Sequence, residues 1–255
     1  MGNSGVIERL NRYIYGTKGD INFLGNVNFR YATIQDYMKN IVEFEKPDAY
    51  SIVGDAVCII EHFEFDSAKS IKGGKSKRES TSKREIGRVE REFDKVAPID
   101  EGITLRDTIN VHHSATNYMN NALRNIANHY TKIDSYKMNL IQTGIIDNNC
   151  KFEVGFFIED TTLLGNIYES KEWKPPTPIF LPHCKQFLDF FDTACKLDFC
   201  ICTSSYGTTD FIWFINRESI QDYRKIQIDL DEIAIIDFSP RVFGWKTIVP
   251  HEVIG

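Results

Sequence analysis

The chain has 255 residues, of which 42% are hydrophobic and 26% charged, and its formal net charge is −6. This composition excludes disordered, collagen-like and low-complexity classes, and a chain of this length can bury a sizeable core without disulfides or a structural metal. Its longest uncharged apolar runs are far shorter than the roughly 18 residues that a membrane-spanning helix needs. The N-terminal residues lack the apolar segment of a secretory signal, so we expect a cytoplasmic protein without membrane contact.

Hydrophobic spacing predicts alternating helices and strands. A two-residue turn, Gly54-Asp55, joins the first two predicted strands into a hairpin, and Asp147-Asn148-Asn149 predicts a second hairpin. In chain order, the sequence predicts an N-terminal helix within residues 1–30, a helix over 33–44, strands over 49–53 and 56–65, helices over 84–96 and 114–131, strands over 138–146 and 152–158, a helix from Cys184 to Cys195, and strands over 199–204, 211–215 and 226–236.

These elements predict an α/β fold with a mixed central sheet flanked by helices. We expect an N-terminal helix and loop at residues 1–30 and a core at 31–145 that carries a basic insertion at 67–96. Residues 146–255 then form a C-terminal mixed α/β extension, rich in strands, of the same globular unit.

Positive charge is concentrated in that insertion. Residues 69–91 contain nine basic and three acidic residues, so this stretch carries +6 and the remainder of the chain −12. Four cations of the predicted helix 84–96 recur at i, i+4, i+7 and i+11 and form one stripe, which we expect to contact nucleic-acid phosphates without reading bases. A solvated stripe, neutralised by flanking acidic residues, is the alternative. The predicted nucleic-acid contacts are Lys75, Lys77, Arg78, Arg84, Arg88, Arg91 and Lys95.

Acidic residues gather at one end of the first predicted hairpin. Asp48 precedes the first strand, while Glu61, Glu64 and Asp66 lie near the end of the second. The tight turn sends the second strand back along the first, so Asp48 should lie opposite the region of Glu61. Two carboxylates brought together in this way suit Mg²⁺ or Mn²⁺. Such an ion can activate water for an in-line displacement at phosphorus.

The same residues carry a family resemblance. Pro47-Asp48, the hairpin and Ile59-Ile60-Glu61 resemble the motif of the PD-(D/E)XK nuclease superfamily. The resemblance implies a restriction-endonuclease-like core, Asp48 and Glu61 as metal ligands, and nuclease activity on DNA or RNA in restriction, repair or defence. The order of a helix (33–44), a hairpin (48–65), an amphipathic helix (114–131) and a further strand (138–143) is similar to the family's common core.

The chain departs from the family at one position. Two residues after Glu61, where the family places its lysine, the chain has Phe63. The group usually credited with orienting the attacking water is therefore absent from its usual place. Lys69, or Lys137 beside the next predicted core strand, could supply it from elsewhere.

A shifted register offers a second set of ligands. Strand alternation places His62, Glu64 and Asp66 on the face opposite Glu61, and a His-x-Glu-x-Asp row is a good metal-binding face. An outer strand face that is merely solvated would have the same pattern. The candidate catalytic residues are thus Asp48, Glu61, Glu64 and Lys69, and the candidate metal ligands are Asp48, Glu61, His62, Glu64 and Asp66.

Two other functions stay open. One is a catalytically inactive nuclease-like module that binds nucleic acid or regulates a larger complex, which the missing lysine favours. The other is a protein-interacting regulator whose basic insertion docks on an acidic partner. A protein partner or a homo-oligomer is compatible with each of these functions.

The six cysteines include no Cys-x-x-Cys pair. Helical and strand spacing places most of them on apolar faces, where a free cysteine behaves as a small buried hydrophobic residue. A zinc site near Cys184, Cys195, Cys200 and Cys202 is the alternative.

Overall fold

A computed structural model describes residues 5–15, 35–53, 55–67, 87–88, 91–92, 95, 103–110, 115–147, 149–162, 166–168, 177–206, 209–231 and 241–248. The helices are α1 (Val6–Tyr15), α2 (Ala115–Tyr130), α3 (Ile133–Gln142), α4 (Lys185–Thr193) and α5 (Ile220–Arg224), with a 3-10 turn at Leu181–His183 before α4. The strands are β1 (Val42–Glu43), β2 (Ala49–Val53), β3 (Ala56–Phe65), β4 (Ile103–Asn110), β5 (Lys151–Asp160), β6 (Asn166–Tyr168), β7 (Thr177–Ile179), β8 (Phe199–Tyr206), β9 (Thr209–Asn216) and β10 (Arg241–Ile248).

Six strands form one mixed sheet in the order β1-β2-β3-β5-β8-β9. The three inner strands β3, β5 and β8 are parallel, whereas the outer pairs are antiparallel. Parallel neighbours require a crossover connection, and α2 with α3 supplies one while α4 supplies the next. The strands β4 and β10 pair antiparallel in a separate two-stranded sheet, as do β6 and β7.

Strand alternation divides the core between the two faces of the main sheet. The helices α2, α3 and α4 cover one side, the helical face, where Val57, Ile59 and Phe63 of β3 are buried. The helix α1 covers the other side, the α1 face, where Cys58 and Ile60 are buried. Because β3 is buried on both sides, its first half is a continuous apolar run, as is typical of inner parallel strands.

Several sequence predictions are confirmed. The fold is α/β with a mixed sheet flanked by helices, and the predicted helix over 114–131 is α2. The predicted hairpin is the β2–β3 pair, in which Val53 lies opposite Ala56. Of the predicted helix at 33–44, the described residues 35–38 are helical, and β1 begins at Val42.

Other predictions are wrong. Residues 138–146 are not a strand, because α3 continues to Gln142. A short apolar run is compatible with a strand or with a helix. Here Ile133, Tyr136 and Leu140 are buried at helical spacing, so the segment packs as a helix. The segment at 147–149 therefore follows a helix and does not close a hairpin. Of the predicted strand 226–236, residues 226–231 are described, and they form one isolated bridge, between Ile228 and Cys184. The strands β4 and β10 were not predicted.

The cysteines are free thiols. Four of them are buried, and burial raises the pKa of the Cys184 and Cys200 thiols, which keeps them protonated. Among the described residues, no cysteine belongs to a group of three or more side chains with the spacing of metal ligands, which favours the packing role over the zinc site. No described helix has the length and apolarity needed to cross a membrane.

Gly155 tests how tightly the α1 face is packed. It lies opposite Phe199 in the β5–β8 register, and a Cβ at this position would overlap the buried Phe199 ring. We expect Gly155→Ala to lower the free energy of unfolding by about 1–3 kcal/mol, because overpacking forces neighbours to move. Urea unfolding measures this, with Gly87→Ala as a helical control expected to raise the free energy of unfolding by up to about 1 kcal/mol, because alanine is a better helix former than glycine. Equal stability of wild type and Gly155→Ala would contradict the packing.

The buried ring of His183 should make the stability of the fold depend on pH. Its Nε2 is buried without a hydrogen-bond partner among the described residues, and burial lowers the His183 pKa from 6.5 to about 4. Between these values the unfolded chain binds the proton more often, so the His183 contribution to stability should fall as the pH drops from 6.5 towards 4. Relative to His183→Phe, wild type should lose roughly 2 kcal/mol between pH 7 and pH 4.5 in urea unfolding. Parallel pH profiles would contradict this assignment.

Candidate functional site

The acidic end of β3 presents its side chains to both faces of the sheet. Glu61 points to the helical face, whereas His62 and Glu64 point to the α1 face, because neighbouring residues of a strand alternate. Asp66 lies just beyond the end of the strand. The predicted set of metal ligands is therefore divided among three places.

The first place, the hairpin site, consists of Asp48, Glu61, His129 and Tyr136. Asp48 immediately precedes β2, and the register that pairs Ala49 with Ile60 brings it opposite Glu61. Asp48 N–H donates to Glu61 Oε2 at 3.3 Å, and His62 N–H donates to Asp48 Oδ2 at 2.7 Å. The prediction that the hairpin places Asp48 opposite Glu61 is confirmed.

Helices α2 and α3 complete the hairpin site. The Tyr136 hydroxyl donates to Glu61 Oε1 at 2.7 Å, and His129 Nδ1 lies 2.8 Å from the same oxygen. The His129 ring stacks on Phe63, with centroids 4.6 Å apart and an interplanar angle of 10°. A polar ring thus covers the position where the family has its lysine.

Sequence reasoning missed His129 and Tyr136. The signal was present, since His129 follows Ile126 by three residues and Ala122 by seven, on the apolar stripe of α2. A histidine on such a stripe faces the sheet. Because residues 138–146 were predicted to form a strand, the helix α3, which contains Tyr136, was not predicted.

The hairpin site has an excess of negative charge. Burial raises the pKa of Asp48, and the nearby Glu61 carboxylate raises it further. Among the described residues, no hydrogen-bond donor contacts Asp48 Oδ1. A cation beside the two carboxylates would relieve their repulsion.

The second place, the α1-face cluster, consists of Arg9, His62, Glu64 and Glu159. Glu64 lies directly across from Glu159 in the parallel register of β3 and β5. Arg9 Nη1 donates to Glu159 Oε2 at 2.6 Å and also contacts Glu64, while His62 Nε2 lies 2.6 Å from Glu159 Oε2. Burial alone would raise the pKa of Glu159, but hydrogen bonds from His62 and Arg9 outweigh it and bring the pKa to about 2. Glu159 was not among the predicted residues.

The third place, the strand-end cluster, consists of Asp66, Tyr118, Asp160 and Thr162. The Tyr118 hydroxyl and Thr162 N–H donate to Asp160 at 2.8 and 2.9 Å. Burial and, to a smaller extent, the nearby Asp66 carboxylate raise the pKa of Asp160 to about 6, even though these bonds favour the ionised form. The Asp66 side chain is thus placed near Asp160 and not in a row with His62 and Glu64.

Two asparagines of α2 attach this helix to the end of β3. Asn121 donates to the Asp66 carbonyl at 2.8 Å and Asn125 to the Glu64 carbonyl at 3.1 Å. These two side chains therefore satisfy backbone acceptors at the end of β3.

The predicted cations are only partly described. Lys69, Lys75, Lys77, Arg78 and Arg84 lie outside the described residues. The helical, described part of 84–96 includes Arg88, Arg91 and Lys95; Arg91 is exposed, and Lys95 Nζ pairs with Glu92 at 2.8 Å.

Lys137 does not supply the missing lysine. Its ammonium lies over the Phe152 ring, 5.2 Å from the centroid. Phe152 is paired with Val57, four residues before Glu61, so the Lys137 ammonium lies towards the start of β3 and away from Glu61.

The Tyr136 hydroxyl offers a test of whether Glu61 is held by its helical partners. We expect Tyr136→Phe to lower the free energy of unfolding by about 1–3 kcal/mol, because a buried carboxylate loses a hydrogen-bond donor. Tyr130→Phe is the matched control, since the Tyr130 hydroxyl makes only long contacts to Cys195 Sγ and Lys196 N at the surface. Thermal or urea unfolding of both variants measures the difference, and equal losses would show that Glu61 does not need this bond.

Comparisons of this chain with protein-family models, with curated proteins and with solved structures find no match. What the hairpin site does is therefore inferred from its own geometry and chemistry.

Proposed function

We propose that the protein is a metal-dependent phosphodiesterase that cleaves nucleic acid, with Mg²⁺ or Mn²⁺ bound at Asp48 and Glu61. The observation that carries this proposal is the hairpin register, which brings these two carboxylates together and adds His129 above Phe63. The resemblance to PD-(D/E)XK nucleases assigns the same two acidic residues to the metal.

The donor set of the hairpin site fits a hard divalent cation. Mg²⁺ takes one or two protein carboxylates, keeps several waters and accepts phosphate oxygens as its remaining ligands. Asp48 has an oxygen without a donor among the described residues, and burial, together with the nearby Glu61 carboxylate, raises its pKa, so a cation beside it would stabilise the ionised form. When bound, the ion would supply a nucleophilic water and neutralise charge on the phosphate.

The residues around the two carboxylates would have positioning roles. Tyr136 and His129 hold Glu61 Oε1, and the backbone N–H of His62 holds Asp48 Oδ2, so both carboxylates are oriented before a cation arrives. Such preorganisation reduces the reorganisation that binding and catalysis require. His129 takes the part of the family lysine in this proposal and orients the attacking water.

The basic segment supports a nucleic-acid substrate. It begins a few residues after Glu61, and its net charge of +6 from nine basic and three acidic residues matches a polyanion. In its described part, Arg91 is exposed and can contact phosphates.

The test is cleavage of supercoiled plasmid and of single-stranded RNA by the full chain with Mg²⁺, with Mn²⁺ and with a chelator. Asp48→Asn and Glu61→Gln should each lower the rate by at least roughly 100-fold while the protein stays folded by circular dichroism. His129→Gln should lower the rate but leave Mn²⁺ binding intact, since His129 is not a ligand in this proposal.

The control is Asp55→Asn, at the other end of the same hairpin. Asp55 is exposed and pairs with Lys151 at 2.9 Å, so the cleavage rate should not change. Cleavage that survives Asp48→Asn would overturn the proposal.

The presence of Phe63 at the lysine position favours a second candidate, a module of the same fold that binds nucleic acid without cutting it. Such a protein would retard nucleic acid in a gel, with an affinity that falls steeply with salt, and would leave it intact at every metal concentration.

A further inference from the structure

The α1-face cluster brings three metal-ligating side chains together on neighbouring strands. One ligand atom each of His62, Glu64 and Glu159 can be chosen so that all three lie within 4.8 Å of one another. Zinc–nitrogen and zinc–oxygen bonds are about 2.0–2.2 Å long, so ligand atoms around one ion are separated by up to about 4 Å. The three side chains need only small movements to reach that spacing.

This cluster already holds a cation in its interior. The Arg9 guanidinium contacts both Glu64 and Glu159, and the Glu64 and Glu159 side chains are only 14% and 8% exposed. Two carboxylates in such a place require positive charge, since desolvation penalises an unpaired ion strongly. Arg9 supplies it from α1, whose Val6, Leu10 and Ile14 are buried against the same face of the sheet.

We propose that His62, Glu64 and Glu159 bind a first-row divalent ion of the Zn²⁺ type, and that Arg9 competes with this ion for the two carboxylates. An imidazole nitrogen with two carboxylates suits Zn²⁺ better than Mg²⁺, which prefers oxygen ligands only. The site is separate from the hairpin site, because its side chains lie on the opposite face of β3. It does not depend on the proposed phosphodiesterase.

Binding of the ion would change how α1 is held. Zn²⁺ and the guanidinium cannot both occupy the space between Glu64 and Glu159, so Arg9 must leave the cluster when the ion enters. The apolar contacts of Val6, Leu10 and Ile14 remain, whereas the ionic attachment of α1 to the sheet is lost. The ion would therefore loosen α1 by competition.

Calorimetric titration of the full chain with Zn²⁺ tests this proposal. Wild type should bind one ion at this cluster, Arg9→Gln should bind it at least tenfold more tightly, and Glu159→Gln should bind it at least tenfold more weakly. Arg12→Gln is the matched control, because Arg12 lies on the same helix, is 67% exposed and pairs with Asp210 at 3.4 Å; its Zn²⁺ affinity should equal that of wild type.

Further variants keep the result decisive. If Arg9→Gln does not fold, Arg9→Lys retains the charge without the two-pronged guanidinium and should bind Zn²⁺ more tightly than wild type. Asp48→Asn removes a proposed ligand of the hairpin site, so Zn²⁺ that this variant still binds, and that Glu159→Gln does not bind, occupies the α1-face cluster. Absence of Zn²⁺ binding in both wild type and the Arg9 variant would overturn the proposal and leave a purely structural ion-pair network. Binding that is unchanged in Glu159→Gln would place the ion elsewhere and would also overturn it.

Discussion

Strand β3 is paired with β5 along its whole length and with β2 as far as Ile60, and both of its faces are covered, so the polar side chains in its second half are largely removed from water and need partners inside the protein. Strand alternation sends Glu61 to the helical face and His62 with Glu64 to the α1 face. The partners come from elements far apart in the chain. The need to compensate these buried groups explains why α1, α2 and α3 each direct a polar side chain at the sheet.

The two faces meet this need in different ways. On the α1 face, Arg9 and His62 bind Glu159 directly, and the low pKa of Glu159 reflects that stabilisation. On the helical face, Tyr136 and His129 bind Glu61, but Asp48 adds a second carboxylate, and its raised pKa reflects burial and repulsion. The α1-face cluster contains its own cation in Arg9, whereas the described partners of the two carboxylates at the hairpin site are Tyr136, His129 and backbone N–H groups.

His62 connects the two sites through a single residue. Its backbone N–H holds Asp48 on one side of the strand, and its imidazole holds Glu159 on the other. A movement of β3 at this residue would therefore alter both carboxylates together. The asparagines of α2, which bind the carbonyls of Glu64 and Asp66, limit such movement at the end of the strand.

The sequence alone determined the α/β class, the amphipathic helix α2 and the hairpin that brings Asp48 opposite Glu61, because each depends on local periodicity or on a two-residue turn. It also assigned His62 and Glu64 to a common face. Only the tertiary structure added Glu159 and Arg9, since parallel pairing joins Glu64 to a residue nearly one hundred positions away and the packing of α1 on the sheet brings in Arg9. Neither contact leaves a local signal in the sequence. Likewise, His129 and Tyr136 reach Glu61 because α2 and α3 pack on the sheet, and packing between distant segments is decided by the whole core and not by any one stretch of it.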